Sequence, residues 1–344
     1  VVNRVGAAMS DLGRGRDASR PYDGGQMRIV RKAVYAFHAA RARDFSNGRA
    51  FLLGDAAHMM PPFGGQGLNS GLRDAHNLSW KVGMVLQKRA TPQMLATYHE
   101  ERSGHAARMV AFASLLGSLF MSKSRGLVYC RNLLIRMLYS LPITRTSLME
   151  LRIKPQARYR AGFFIGEVAG KGARYSSDAR GAFKWLKKSI VGSLLPQPEV
   201  ITQEGARVLL DEVLGTGFAV IRRYPLPEEA FASVETGFWE KLGARFVCIQ
   251  SEEASKKSRK NQHFRQANTP NVEAGSHVSQ ALPVVVVRSV DKDFLSRCRD
   301  RFVVVRPDRF ILGTFRENEA GKFEAAFQRL LNRVVSNGSS WRER

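Results

Sequence analysis

Cysteine is scarce. The three in these 344 residues, Cys130, Cys248 and Cys298, are scattered and form no CxxC or metal-type spacing. That excludes a disulfide framework and a thiolate metal site, so no metal is expected and a reducing cytoplasm is the expected compartment. Long hydrophobic runs are missing as well. The longest, "MVAFASLLGSLFM" from Met109, is too short to span a bilayer and reads as a buried helix. No signal peptide is visible, and no GxGxxG follows a strand anywhere in the chain. The first residue is Val1, not Met, and the first recognisable element is already mid-fold. A fragment of a longer protein is therefore expected.

Acidic residues are few. Asp and Glu number 30 against 54 Lys and Arg, a net charge of +24. Half of that surplus falls between Lys123 and Lys188, where fifteen basic residues meet only Glu150, Glu167 and Asp178. Such a balance invites a nucleic-acid or anionic-surface partner. The cations are spread irregularly through apolar residues, with no DNA- or RNA-binding motif around them, so nucleic acid is not the expected partner. A solvated basic face that meets an acidic segment or a subunit is the expected reading. With 44% hydrophobic and 24% charged residues the composition is globular, and the length suits two or three domains.

Residues 10–26, "SDLGRGRDASRPYDGGQ", read as an exposed loop. "MRIVRKAVYAFHAARA" alternates as a strand does, with Tyr35 and His38 on opposite faces, so at most one of them faces a substrate. "AFLLGD" reads as a short strand buried on both faces. In "LNSGLRDAHNLSWKVGMVLQ", Leu68, Leu72, Ala75, Ser79, Val82 and Leu86 fall at helical spacing. Further helices are expected from Thr91, as cap, with Pro92 in the first turn, and in "RGLVYCRNLLIRMLYSLP". "FFIGEVAGKGARYSSDARGAF" loses periodicity, and "LLPQPEV" reads as a linker.

The last domain alternates. Strands are expected at "ARVLL", "GFAVIRRY", "RFVCIQ", "PVVVVRS", "RFVVVRP" and "RFILGTF", and helices at "PEEAFASVETGFWEKLG", "DKDFLSRC" and "NEAGKFEAAFQRLLNRVV". This order implies a mixed sheet covered by helices, with a charged insertion, "SEEASKKSRKNQHFRQANTPNVEAGSH", as a loop.

The informative stretch is "LLGDAAHMMPPFGGQGLNSGLRDAHNLSWK", residues 52–81. A plain strand-to-helix connection needs only a few polar residues. Here Asp55 follows a strand end, where α/β sheets bind ligands, and a carboxylate suits sugar or ribityl hydroxyls. Pro61 and Pro62 stiffen the chain and remove two donors. Gly64, Gly65 and Gly67 allow close backbone approach, and the following helix points free N–H groups and its positive end at the same place. A flat, polyhydroxylated, partly anionic cofactor fits this set. Single residues have plainer readings beside it: Asp55 as a turn cap, His58 bonded to a loop carbonyl, Asp74 exposed or capping, Trp80 in the core.

"GDAAH", "PPFGGQGLN" and "GLRDAHNLSWK" together resemble the "GD" motif of the FAD-dependent aromatic hydroxylases, the group A flavoprotein monooxygenases related to para-hydroxybenzoate and phenol hydroxylase. "AVYAFHA" and the Tyr98, Glu101, Arg102 set look most like 3-(3-hydroxyphenyl)propionate hydroxylases. The resemblance implies an α/β (α+β) fold, the C-terminal portion of a para-hydroxybenzoate hydroxylase-like FAD fold with a helical segment and a thioredoxin-like domain. Its parts would be residues 1–43 (end of the substrate-binding sheet), 44–90 (the FAD-binding portion with the GD motif), 91–195 (helical segment and linker) and 196–344 (thioredoxin-like, without CxxC). That last domain would serve support or dimer contact rather than redox chemistry. "RFVVVRPDRFILGTF" resembles its closing hairpin, with Arg309 where glycine is common, a residue that a type I turn tolerates.

The resemblance further implies that NADH or NADPH reduces the flavin and that O2 adds at C4a. The hydroperoxide would then deliver an oxygen atom to a phenolic substrate. Asp55 would bond a ribityl hydroxyl, and Pro62 and Phe63 would lie along the isoalloxazine. The backbone of Gly64, Gly65, Gln66, Gly67, Leu68 and Asn69 would complement negative charge at its pyrimidine end. Tyr35 or His38 would touch substrate. Two departures stand out: neither the N-terminal GxGxxG nor the middle "DG" motif of the family is present. The chain therefore resembles the C-terminal part alone, partnered by an N-terminal FAD-binding half and, in assembly, by a second copy. The other readings left open are a truncated, non-catalytic scaffold and a basic nucleic-acid or anionic-surface binder.

Overall fold

The structure is a computed structural model that describes residues 35–122, 124–140, 154–166, 190–224, 230–251, 284–289 and 301–332. Two units are distinguished, Val1–Phe37 and His38–Arg344, and all secondary structure described below belongs to the second. The loop expected over 10–26, residues 27–34 of the first expected strand, the helix over 291–298 and residues 252–277 of the charged insertion lie outside the described residues.

Alternation did not suffice for the first strand. Residues 35–39 form no strand, and pairing begins only at β1 (Ala40–Arg41), which meets β4 (His58–Met59) antiparallel. Tyr35 and Phe37 are 64% and 62% exposed, so the pattern has no buried face to hold it. β2 (Ser46–Asn47) and β3 (Ala50–Phe51) form a small hairpin. The strand expected at "AFLLGD" stops at Phe51 and is not buried on both faces, with Leu52 exposed. Gly54, at φ +55°, turns the chain into a 3-10 turn, Gly54–Ala56, a conformation that a strand cannot continue.

Helix α1 (Gly67–Leu86) buries a face that the hydrophobic spacing does not mark. Leu68, Leu72 and Leu86 are 76%, 59% and 77% exposed, while Ser70, Asp74, Asn77, Leu78, Lys81 and Met84 are buried. A polar stripe can turn inward when its groups are paired there, as these are. A 3-10 segment, Pro92–Leu95, leads into α2 (Ala96–Phe120). Thr91 precedes it without a side-chain cap, and its carbonyl accepts from Met94 N–H. α3 (Arg125–Ser140) follows with no buried residue. Among the described residues no single helix is long and apolar enough to cross a membrane.

The C-terminal part is built on a seven-stranded mixed sheet. In chain order its strands are β5 (Glu199–Ile201), β6 (Arg207–Leu209), β7 (Ala219–Arg223), β8 (Arg245–Ser251), β9 (Val284–Ser289), β10 (Phe302–Val305) and β11 (Ile311–Phe315), and in space they lie β11-β10-β7-β8-β9-β5-β6. β7, β8 and β9 run parallel, and the other neighbours pair antiparallel. All six expected strands are present. β5 lies in the stretch read as a linker, a short run that its pairing with β6 and β9 holds in place.

Period two along these strands makes two faces. Val220, Phe246, Cys248, Phe302, Val304 and Leu312 pack on one side, against Trp239 of α5 (Thr236–Lys241) and Phe323, Phe327 and Leu331 of α6 (Ala320–Leu331). Met84 of α1 and Met94 join this cluster, so the N-terminal helices share the sheet's core. Ala219, Ile221, Val247, Ile249, Val303, Val305 and Ile311 pack on the other side with Leu210, Val213 and Leu214 of α4 (Leu210–Leu214). α5 is shorter than its sequence pattern.

The β10–β11 hairpin departs from the expected turn. Arg309 donates its N–H to Arg306 O and takes φ +67°, and the register shifts at Val304/Val305. This is a turn closed by a left-handed residue with a bulge, the place that favours glycine. Arg309 holds it through Asp211 Oδ1 at 2.9 Å and the carbonyls of Asp211 and Gly215.

Candidate functional site

Residues 54–69 gather the features singled out above. Asp55 sits in the first turn of the 3-10 segment, exposed, with no hydrogen-bond partner among the described residues. Pro62 begins a turn closed by Gly65 N–H to Pro62 O at 3.0 Å. Gly64 and Gly65 have φ +83° and +61°, a region that favours glycine. A Cβ on Gly64 would meet Leu116 Cδ1 at 3.4 Å. Gly67 is not in that region. Phe63 is half-buried with its ring against Gly117 of α2, where a Cβ would come within 2.7 Å.

α1 then opens without a cap. Gln66, its flanking residue, gives no side-chain cap bond, and no acidic residue lies in the first turn. The Gln66 amide turns back to Gly64 O, leaving its Oε1 buried and unpaired among the described residues. The N–H groups at the start of a 20-residue helix thus point out of the loop with the positive end of its dipole. Leu68 and Asn69 are exposed beside them. The arrangement offers one exposed carboxylate and a set of backbone donors beside glycines that carry no Cβ. That donor set fits a ligand with hydroxyls at one end and negative charge at the other.

Asp74, expected to be exposed or capping, is instead the buried hub behind the loop. Its Oδ2 accepts from Gly54 N–H at 3.0 Å and pairs with His58 Nε2 at 2.6 Å, and its Oδ1 accepts from Arg102 Nε at 2.6 Å. His58 therefore bonds a carboxylate rather than a loop carbonyl. Burial alone would raise the Asp74 pKa, but the His58 bond and the Arg102 charge outweigh it and hold it below the usual range. Arg102 also donates to Ser70 O and Oγ and to Tyr159 Oη.

A second buried cluster lies further along α1. Glu101 pairs with Lys81 at 2.9 Å and with both terminal nitrogens of Arg306 at 2.9 and 2.8 Å. Asn77 donates to Glu101 and Asp308, and Arg306 also bonds Asp308. Trp80 is half-buried, edge-on to Phe163 and Phe218, which bears out its reading as a core residue. Sequence reasoning passed over these two clusters. The available signal was the stripe Asp74, Asn77, Lys81 at helical spacing, facing Glu101 and Arg102 on the next helix.

Tyr35 and His38 are both exposed and fall in different units. No cluster of three or more His, Cys, Asp or Glu with metal-binding geometry occurs among the described residues.

Residues 18–113 match the FAD binding domain family, and residues 192–330 match the HcaD C-terminal domain family. The chain is similar to the 3-(3-hydroxy-phenyl)propionate/3-hydroxycinnamic acid hydroxylase 2 of Burkholderia vietnamiensis (strain G4 / LMG 22486). Identity is 35% over 286 residues, covering 83% of this chain and 47% of that protein. The corresponding hydroxylase of Mycolicibacterium smegmatis (strain ATCC 700084 / mc(2)155) is 34% identical over 285 residues, covering 83% and 45%. The chain thus spans about half the length of these relatives. Among solved structures, the OxyS anhydrotetracycline hydroxylase from Streptomyces rimosus superposes with a TM-score of 0.52 at 22% identity, covering 86% of this chain and 47% of that one. This likeness shows the fold and bears out the α/β architecture.

Proposed function

We propose that this chain, which carries an FAD binding domain segment followed by an HcaD C-terminal domain, is the flavin-facing part of an FAD-dependent aromatic hydroxylase. The observation that carries the reading is the 54–69 loop, with an exposed carboxylate, two left-handed glycines and an uncapped helix start side by side. FAD bound there would supply the redox and oxygen-activating chemistry, with NADH or NADPH as reductant and O2 as oxidant.

The chain's own residues hold and orient. Asp55 accepts a ribityl hydroxyl, an acceptor role that a carboxylate fills without a donor of its own. Pro62 and Phe63 wall the ring system, and Phe63 is backed by Gly117. The N–H groups of Gly64, Gln66, Gly67, Leu68 and Asn69, with the helix dipole, complement negative charge on the cofactor's pyrimidine edge, while Gly65 closes the turn on Pro62 O that presents them. The phenolic substrate is a phenylpropanoid acid, as the names of the relatives suggest, and Tyr35 or His38 contacts it. Its remaining contacts, and the dinucleotide half of the FAD site, come from an N-terminal segment of the kind that carries GxGxxG. A homodimer, with the C-terminal domain as support or contact, is the expected assembly, and the cytoplasm its compartment.

The test uses the gene product that contains this chain. FAD titration should give saturable quenching of flavin fluorescence, and 3-(3-hydroxyphenyl)propionate should stimulate NAD(P)H oxidation with formation of a hydroxylated product. A protein that stays free of flavin at saturating FAD would sink the reading.

A further inference from the structure

The C-terminal sheet and the 54–69 loop are far apart in sequence, yet an unbroken series of buried contacts joins them. Phe310, which closes the β10–β11 turn, stacks on Tyr159 with ring centroids 4.0 Å apart and planes 20° from parallel. The Tyr159 hydroxyl accepts from Arg102 Nη1 at 3.2 Å. Arg102 Nε donates to Asp74 Oδ1 at 2.6 Å, and Asp74 Oδ2 accepts from Gly54 N–H at 3.0 Å. Every side chain in the series is at most 3% exposed.

Tyr159 is fixed from the sheet by its backbone too. Its N–H donates to Gly192 O at 2.8 Å, and Gly192 N–H donates to Ile311 O at 2.9 Å. Gly192 has φ +74°, and a Cβ there would lie 2.5 Å from Tyr159 O, so the approach depends on glycine. At the far end, Gly54 has φ +55° and starts the turn that presents Asp55. Its N–H is held by a carboxylate whose orientation is set by Arg102 and His58.

We propose that the C-terminal domain is a positioning element for the Gly54–Ala56 turn, acting through Phe310, Tyr159, Arg102 and Asp74. Tyr159 and Arg102 are positioning residues: both side chains are buried, and they set the carboxylate that sets the turn. That the positioned turn serves FAD rests on the function proposed above; that the C-terminal domain positions it does not.

The test is amide hydrogen exchange on the FAD-free chain, comparing wild type with Tyr159→Phe, which keeps the stacked ring and removes the hydroxyl, and with Phe310→Leu, which removes the stack. Both should raise exchange at Gly54 to Ala57 about tenfold, while amides of β7, β8 and β10 exchange as in wild type. Arg102→Lys should do the same, because an ammonium keeps the charge but lacks the fork. Unchanged exchange at Gly54 to Ala57, or a uniform rise across the chain, would overturn the proposal. FAD titration of the same variants separates the two ideas. A loosened turn with unchanged FAD affinity upholds the positioning role and removes the flavin reading of Asp55.

Discussion

Arg306 of the C-terminal hairpin and Glu101 of α2 stand 205 residues apart in sequence and meet through paired hydrogen bonds of 2.9 and 2.8 Å, both side chains fully buried. With Lys81, Asn77 and Asp308 they form a cluster in which two carboxylates face two cations. Helices α1 and α2 and the C-terminal sheet are therefore joined by charge as well as by apolar packing. Removing one partner leaves a buried charge uncompensated. Arg306→Met should cost about 3–5 kcal/mol in a denaturant titration. Glu101→Gln on that background should cost much less than it does alone, because the double variant removes the buried charge imbalance. Additive losses would show that the pair is not coupled.

Acid should loosen the same junction. Burial alone would raise Glu101, but Arg306 and Lys81, with the bonds from Arg306 and Asn77, hold it down at about 2. Its stabilising contribution is full above its ordinary value of 4.5 and is lost as pH falls from there toward 2, about 3 kcal/mol in all. His105 is pushed down to about 3 by burial, with Arg102, Arg73 and Arg108 adding repulsion. The unfolded chain takes up that proton near 6.5 and the native state does not, so stability begins to fall below pH 6.5. Denaturation midpoints measured from pH 7 to pH 3 should decline throughout, and His105→Gln should flatten the portion between 6.5 and 4.5. A flat wild-type profile over that portion would contradict the buried neutral imidazole.

Lys81 titrates the other way along the scale. Burial, with Arg306 opposing and Glu101 supporting the charge, lowers it to about 8 from 10.5. The cost of keeping it charged is full below 8 and is relieved as pH rises from 8 to 10.5. Lys81→Met should therefore remove an alkaline rise in stability that the wild-type chain shows over that window.

Gly162 marks where the segment before the C-terminal sheet crosses Glu101. Its φ is +125°, and a Cβ would fall 2.2 Å from Glu101 Cγ. Gly162→Ala should destabilise by more than about 2 kcal/mol in thermal or denaturant unfolding. Gly83→Ala, where nothing lies within 4 Å, is the matched control and should be neutral or stabilising.

The sequence made some of this legible and hid the rest for physical reasons. The strands of the C-terminal sheet were readable because runs such as 302–305, "FVVV", are aromatic or β-branched and buried on both faces, which suits a short central strand. The loop glycines were readable because glycine is the residue for φ > 0, as Gly64 and Gly65 show. α1 was misleading. Leu68, Leu72 and Leu86 lie on its exposed side, and much of its buried side is written in Asp74, Asn77 and Lys81, whose partners Glu101, Arg102, Arg306 and Asp308 lie on other elements. Periodicity reports apolar faces and is blind to a polar stripe paired across tens or hundreds of residues. Arg309 in a left-handed turn position was hidden likewise, since the contacts to Asp211 and Gly215 that hold it are tertiary.

The central claim is that Asp55 and the uncapped start of α1 hold a flavin. Its most direct test is the FAD dissociation constant of the gene product containing this chain, wild type against Asp55→Ala, with unfolding of the apo proteins measured in parallel. Loss of a charge-assisted hydrogen bond predicts binding weakened about 10- to 100-fold, with apo stability unchanged because Asp55 is exposed. Equal affinities for the two proteins would contradict the account.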